Sequence, residues 1–198
     1  MKQKVLLASN NAHKIKEIRA ILGDFFDIVS LREAGVESDP EETGKTFEEN
    51  ARIKAVAGMK ASGMPCIADD SGLEVLALDC RPGVMSARYS GSHGDDAANN
   101  EKLLAELADK PDRSARYVCV ICMAFPDGRE LEARGECYGE ILKEKRGNGG
   151  FGYDPLFYFP QFGKTFAEIF SEEKNEVSHR NAALKAFEKL WEKEINDK

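Results

Sequence analysis

Two long runs near the middle of the chain, "SARYVCVICMAF" (114–125) and "RELEARGECYGEIL" (129–142), flank Pro126-Asp127-Gly128. Each run reads as a long strand, and Pro-Asp-Gly between them is a hairpin turn signal. A hairpin of this kind needs further strands and an apolar cover before it is stable in water. The remaining sequence offers both. "KVLLAS" (4–9) reads as a buried strand, and Phe26 to Ser30 as a second. From His13 to Leu22, Ile15, Ile18, Ile21 and Leu22 fall at helical spacing. Residues 32–45 are polar and acidic and read as a loop. A helix follows from Thr46 to Lys60, with Phe47, Ala51, Ala55 and Met59 as its apolar stripe and Asn50 and Lys54 on one face. After Pro65, "CIAD" reads as a short strand, and "GLEVLAL" (72–78) alternates like another. Asp95 to Leu107 is helical, "PLFYFP" (155–160) is a short strand closed by proline, and a last helix runs from Ser178 to Lys193. Helices alternating with strands point to an α/β or α+β fold. No linker or internal repeat interrupts the chain, so residues 1–198 are expected to form one domain, folded as two lobes around a cleft.

Composition removes several function classes. No apolar run approaches the roughly 18 residues of a membrane span, and the run Val5 to Ala8 is too short for a signal peptide. A cytoplasmic protein without a membrane partner is expected. The net charge of −7 argues against a nucleic-acid partner. Cys119 and Cys122 form a C-x-x-C, but within a strand residues three apart point to opposite faces, so buried free thiols are expected rather than a metal or redox pair. "GNGGFG" (147–152) matches a dinucleotide-binding pattern but is followed by Asp154-Pro155 and a strand-like run, not a helix. "GKT" occurs at 44–46 and 163–165 without the glycine that a phosphate loop needs five residues earlier.

Four constellations carry chemistry. In "SNNAHK" (9–14), a strand gives way to a helix whose first turn holds His13 and Lys14. Cations there oppose the helix dipole. A bound phosphate, with Ser9, Asn10 and Asn11 donating beside it, would resolve the conflict; an ordinary capped helix with solvated charges is the alternative. "EETGKTFEENARIK" (41–54) places acids before a helix and Lys54 within it. "ADDSGL" (68–73) sets two adjacent carboxylates at the end of an apolar strand. A carboxylate there can ligate Mg²⁺ and accept a proton from water, or Asp70 can simply form an Asx turn. The fourth is split among "GGFGYDP" (149–155), Lys174 and "SHR" (178–180). Its glycines allow close backbone approach, Phe151 and Tyr153 offer ring faces for a base, and Asp154 can accept from base N–H groups. Ser178 reads as a helix N-cap, with His179 and Arg180 in the first turn.

Together with "TFEENA" (46–51) and "PGVMSARYSG" (82–91), these motifs lie in one order over nearly the whole chain. In that order the sequence resembles the inosine triphosphate pyrophosphatase family, the XTP/dITP pyrophosphatases. The resemblance implies a mixed α/β fold with a long central sheet flanked by helices, two lobes around an active-site cleft, and a homodimer. It implies Mg²⁺-dependent hydrolysis of ITP, dITP and XTP to the monophosphate and pyrophosphate. Ser9, Asn10, Asn11, Ala12, His13 and Lys14 would hold the triphosphate, with Lys54 helping to neutralise it. Asp70 would be proton acceptor and metal ligand, with Asp69 beside it and Glu42 as a second ligand, Glu41 being the adjacent alternative. Ser71 would touch the substrate. Phe151, Gly152, Tyr153, Asp154 and Lys174 would surround the base, and His179 and Arg180 would read it. Ser9-Asn10-Asn11 stands where some members have Thr-Gly-Asn, and Tyr153 where some have Trp.

Overall fold

The computed structural model describes residues 2–196. In chain order its elements are β1 (Gln3–Leu7), α1 (Ala12–Leu22), β2 (Phe26–Ser30), α2 (Leu31–Ala34), α3 (Phe47–Ser62), β3 (Cys66–Val75), β4 (Arg81–Pro82), α4 (Asp96–Glu106), β5 (Ser114–Ala124), β6 (Glu130–Ile141), β7 (Phe157–Phe159), β8 (Lys164–Thr165), α5 (Ser171–Val177) and α6 (His179–Asn196). Short 3₁₀ turns occupy Leu76–Leu78, Gly83–Arg88 and Phe166–Glu168. The fold is mixed α/β. Its strands form one open sheet in the order β2-β1-β3-β5-β6-β7-β8, with β4 paired to β3. No described helix is long and apolar enough to cross a membrane.

The chain divides into two compact units. The first comprises residues up to Asp70, Cys119–Gly135, and residues from Arg180 onward. Here β1 lies parallel between β2, from Gln3↔Phe26 to Leu7↔Ser30, and β3, at Leu6↔Cys66 and Leu7↔Ile67. Val5 and Leu7 face a core with Ile18 and Leu22 of α1, Ile121 and Met123 of β5, and Leu184, Phe187 and Trp191 of α6. Leu6 faces the other way, against Leu31 and Cys66. Cover on both faces explains why the β1 sequence is a continuous apolar run rather than an alternating one. Each of these large side chains, fully buried, stabilises the fold by roughly 1.5–3 kcal/mol before entropy is counted. Helix α3 starts at Thr46, whose hydroxyl accepts from the Glu49 N–H at 3.2 Å, and stops at Gly63, in the left-handed region at φ 68°.

The second unit comprises Ser71–Val118 and Glu136–His179. Its core gathers Leu73 and Val75 of β3, Leu103 of α4, Tyr117 of β5, Ile141 of β6, and Phe157, Phe159 and Phe166. Asp95 caps α4 by accepting from the Ala98 N–H at 3.0 Å. Antiparallel pairs join β3 to β4, β6 to β7, and β7 to β8.

The structure differs from the sequence reading in four places. "CIAD" and "GLEVLAL" are not two strands: β3 runs unbroken from Cys66 to Val75 through both aspartates, and Leu76–Leu78 is a 3₁₀ turn. The aspartates therefore lie in mid-strand, and no Asx turn forms. Turn-forming composition is overridden there by pairing and burial. Strand β1 ends at Leu7, where the Ser9 N–H turns back onto the Leu7 carbonyl at 2.8 Å. The loop expected over 32–45 opens with α2, which Ser30 and Glu33 close as a reciprocal capping box. Finally, α5 occupies a stretch without an apolar stripe, and none of its residues is buried.

Candidate active site

In the first unit, four elements bring charged side chains together. Where β1 stops pairing at Leu7↔Ile67, β3 continues and carries Asp69 and Asp70. Helix α1 brings Lys14, α3 brings Lys54, and the segment before α3 brings Glu42. The Lys14 ammonium lies 2.9 Å from Asp69 Oδ2. Lys54 Nζ lies 2.8 Å from Asp70 Oδ1 and 3.1 Å from Glu42 Oε1, so one ammonium bridges two carboxylates. Asp70 is only 7% exposed, and its Oδ2 is buried without a hydrogen-bond partner. An orphaned buried carboxylate oxygen is costly unless a ligand completes it.

The pair is electrostatically unequal. Burial alone would raise the Asp69 carboxyl, but Lys14, Arg180 and Lys54 outweigh it and hold Asp69 well below the usual carboxylate range. For Asp70 burial prevails over Lys54, Glu42 adds to it, and the carboxyl stands above its ordinary value. Burial also works against the Lys54 ammonium, yet Asp70, Asp69 and Glu42 keep its pKa above that of a free lysine.

The entry to this cluster is polar. Asn11 Oδ1 accepts from the Lys14 N–H at 3.2 Å, and Ser9 Oγ from the Asn11 N–H at 3.2 Å, so both help start α1. Ser9 and Asn10, with Asp39, Glu42 and Lys54, line a pocket of about 140 Å³. Ala12 is the first residue of α1; the side chain of His13 lies outside what the structure describes. Glu41 is exposed, whereas Glu42 is the carboxylate that meets Lys54. Asn50, fully buried, accepts from the Gly44 N–H at 2.8 Å and fastens the Glu42 segment to α3.

Arg180, expected to read the base, is engaged with acids in this structure. It is 5% exposed, its Nη1 donates to Glu17 Oε2 at 2.5 Å, and its Nε lies 3.7 Å from Asp69 Oδ2. A buried guanidinium needs acids around it, and these two take it. In this structure Arg180 takes its place beside the carboxylate–lysine cluster.

The second unit holds the glycine-rich loop. Asp154 is 1% exposed, and its carboxylate accepts from the Phe151 N–H at 2.9 Å, from Lys174 Nζ at 2.5 Å, and from the Tyr117 hydroxyl at 3.3 Å. Asp154, which the sequence offered as an acceptor for base N–H groups, shapes the loop through these three bonds. Gly150 has φ 72°, and a Cβ there would run into this carboxylate. Helix α4 grips the next peptide: the Gly152 N–H donates to Asp96 Oδ2 at 2.7 Å and its carbonyl accepts from Asn100 Nδ2 at 2.8 Å. The result is Phe151 held outward, 56% exposed, with Lys174 Nζ 4.5 Å above its ring. Tyr153 points inward, its hydroxyl donating to the Ser86 carbonyl at 2.9 Å. His179 stacks on Tyr117, ring centroids 4.9 Å apart, and Ser178 is an extended residue joining α5 to α6. Ser71 is half-buried in β3.

Thus Lys14, Lys54, Glu42, Asp69 and Asp70 converge in one unit, and Phe151, Gly152, Tyr153, Asp154, Lys174 and His179 belong to the other. Asn50, Glu17, Tyr117, Asp96 and Asn100 were not singled out as site residues, although each holds one that was. Asparagines inside a helix are poor helix formers, and Asn50 and Asn100 could have been questioned on that ground. Among the described residues no group of three or more His, Cys, Asp or Glu could hold a metal. Two carboxylates facing one cation nevertheless fit a hard ion that takes its other ligands from water and phosphate. All five cysteines are free; burial pushes the Cys119 and Cys122 thiols up to about 12, which leaves them unreactive.

A profile of the Ham1 family matches residues 5–190. A dITP/XTP pyrophosphatase of Desulfotalea psychrophila is 56% identical over 181 residues, covering 91% of this chain and 81% of that protein. One from Clostridium perfringens is 52% identical over 191 residues, covering 92% and 94%. The solved structure of the Staphylococcus aureus Ham1 protein superposes with a TM-score of 0.90 at 45% identity, over 97% of this chain and all of the other. A HAM1 protein from Coxiella burnetii gives 0.91 at 42% identity, over 96% and 99%. Matched in profile, sequence and structure over nearly its whole length, the chain belongs to the Ham1 family.

Proposed function

We propose that residues 1–198 act as one nucleoside-triphosphate pyrophosphatase domain. It hydrolyses deaminated purine nucleoside triphosphates of the dITP, ITP and XTP type to the monophosphate and pyrophosphate. The dITP/XTP pyrophosphatases of Desulfotalea psychrophila and Clostridium perfringens, to which it is similar, support the substrate class. One observation carries the chemistry: Asp70 is a buried carboxylate with one oxygen on Lys54 and the other without a partner.

In this reading Asp70 Oδ2 accepts the proton of a water that attacks the α-phosphorus. The bond from that phosphorus to the bridging oxygen breaks, and pyrophosphate leaves with the electron pair. Burial makes Asp70 a stronger base than a surface carboxylate. Lys14 and Lys54 neutralise the phosphate charge, with donors from Ser9, Asn10, Asn11 and the start of α1; positioning and neutralisation are most of what phosphoryl transfer asks. Asp70 and Glu42 would hold a divalent ion, magnesium in this proposal, which when bound adds charge neutralisation and acidifies water. Asp69 positions Lys14 and supports the metal ligands. Ser71 and Gly152 contact the nucleotide, whose base rests on Phe151.

His179 and Arg180 supply donors for O6 of hypoxanthine or xanthine, and Phe151, Gly152, Tyr153, Asp154 and Lys174 surround the base. Adenine would present an amino group to those donors, and a mismatch of that kind is rejected by roughly 10⁴-fold. A homodimer, which rests on the family resemblance, and a cytoplasmic location, expected from the composition, belong to the same proposal.

The test is product release from dITP, XTP, GTP and ATP, with Mg²⁺ and with EDTA, for wild type and Asp70→Asn. Mg²⁺-dependent pyrophosphate from dITP and XTP is expected, reduced at least about 10²-fold in the variant. Orthophosphate in place of pyrophosphate would put the attack on another phosphorus and overturn the mechanism.

A further inference from the structure

The lysines assigned to the phosphates are already engaged. Lys14 is on Asp69, and Lys54 is on both Asp70 and Glu42. Arg180 is shared between Glu17 and Asp69. A triphosphate arriving alone would compete with these carboxylates, of which Asp69 and Asp70 are buried, for the cations. A divalent ion arriving alone would meet an ammonium already lodged between the two oxygens it needs. Hydrogen-bond distances of 2.8 and 3.1 Å leave no room for both.

From this geometry we infer that Lys54 is an internal stand-in for the divalent cation. In the resting protein its ammonium neutralises Asp70 and Glu42 and keeps the pair from repelling. When the ion takes these carboxylates, Lys54 is released toward the phosphates. Metal entry and phosphate binding are then two halves of one exchange. Each favours the other, and linkage makes that coupling reciprocal. The unpartnered, buried Asp70 Oδ2 is the position on the pair that Lys54 leaves open, where the exchange can begin. The inference rests on the proposed metal-dependent reading of the site and names a role for Lys54 that neutralising phosphate does not require.

The test uses Mn²⁺ alone, titrated into nucleotide-free protein and followed by the electron paramagnetic resonance signal of the free ion. Wild type, Lys54→Met, Lys54→Gln and Lys54→Met/Glu42→Gln are compared. Removing the competing ammonium is expected to tighten Mn²⁺ binding at least about tenfold, since like charges this close repel strongly. Adding Glu42→Gln should abolish the gain. Equal or weaker binding in a folded Lys54→Met or Lys54→Gln protein overturns the inference. A Lys54 variant that folds only with Mn²⁺ present supports it, and one that stays unfolded with Mn²⁺ overturns it. Turnover is not read in this experiment, so a wild type inactive on dITP would sink the proposed function separately.

Discussion

Asp154→Asn isolates what holds the glycine-rich loop. The substitution keeps shape and can keep every hydrogen bond in register. The amide oxygen can occupy the Oδ2 position that serves Phe151 and Lys174, and the amide nitrogen can meet Tyr117, whose hydroxyl rotates to accept. Only the charge is lost. It faces Lys174, whose side chain is 12% exposed and whose ammonium lies 2.5 Å away. Breaking a buried pair from one side costs about 3–5 kcal/mol. Lys174 can swing outward over Phe151, so the low end, about 3 kcal/mol, is expected. For a chain of this length that lowers the melting temperature by roughly 6–12 °C. Urea unfolding of Asp154→Asn, Lys174→Met and the double variant would measure the coupling. The double variant should be less destabilised than the sum of the singles by at least about 1 kcal/mol. Strict additivity, with Asp154→Asn melting within a degree of wild type, would show that the pair does not order the loop.

Two further perturbations test other joints. Gly150→Ala puts a methyl against the Asp154 carboxylate at a left-handed backbone position and should destabilise by roughly 1–3 kcal/mol, read by urea midpoint, whereas Gly→Ala at an unstrained site would be neutral or stabilising. Glu33 is held down to about 2, chiefly by the hydrogen bond from Arg19 and then by Ser30. Its folded pKa lies below the unfolded value, so its contribution is complete above about pH 4.5 and fades as pH falls toward 2. Glu33→Gln should therefore flatten the loss of stability over that window, and an unchanged slope would refute the assignment.

What the sequence disclosed follows from where the information lies. Helices α3 and α6 and the β5–β6 hairpin were legible because each carries its own period or turn over more than ten residues. Strand β3 was not, because Asp-Asp-Ser-Gly has the local preferences of a turn and its extended form is imposed by partners far along the chain. The loop at 149–155 could be named but not built, since Tyr117 and Asp96 reach it from 37 and 56 residues away. The partners of Arg180, Glu17 and Asp69, were hidden for a simpler reason. Consecutive helix residues point about 100° apart, so sharing a motif with His179 did not mean sharing its surroundings.

One arginine outside the site has a consequence for the protein in crowded solution. Strand β2 ends the sheet on one side, and an open edge offers unpaired backbone groups to any passing strand. Arg19 reaches over from α1, and its Nε and Nη2 both take the Ile28 carbonyl, at 3.2 and 2.9 Å, while the guanidinium is itself fixed by Glu33. At the opposite edge β8 is only two residues long. An acceptor already filled at one end, and a stub too short to template anything at the other, make the molecule a poor seed for its own aggregation.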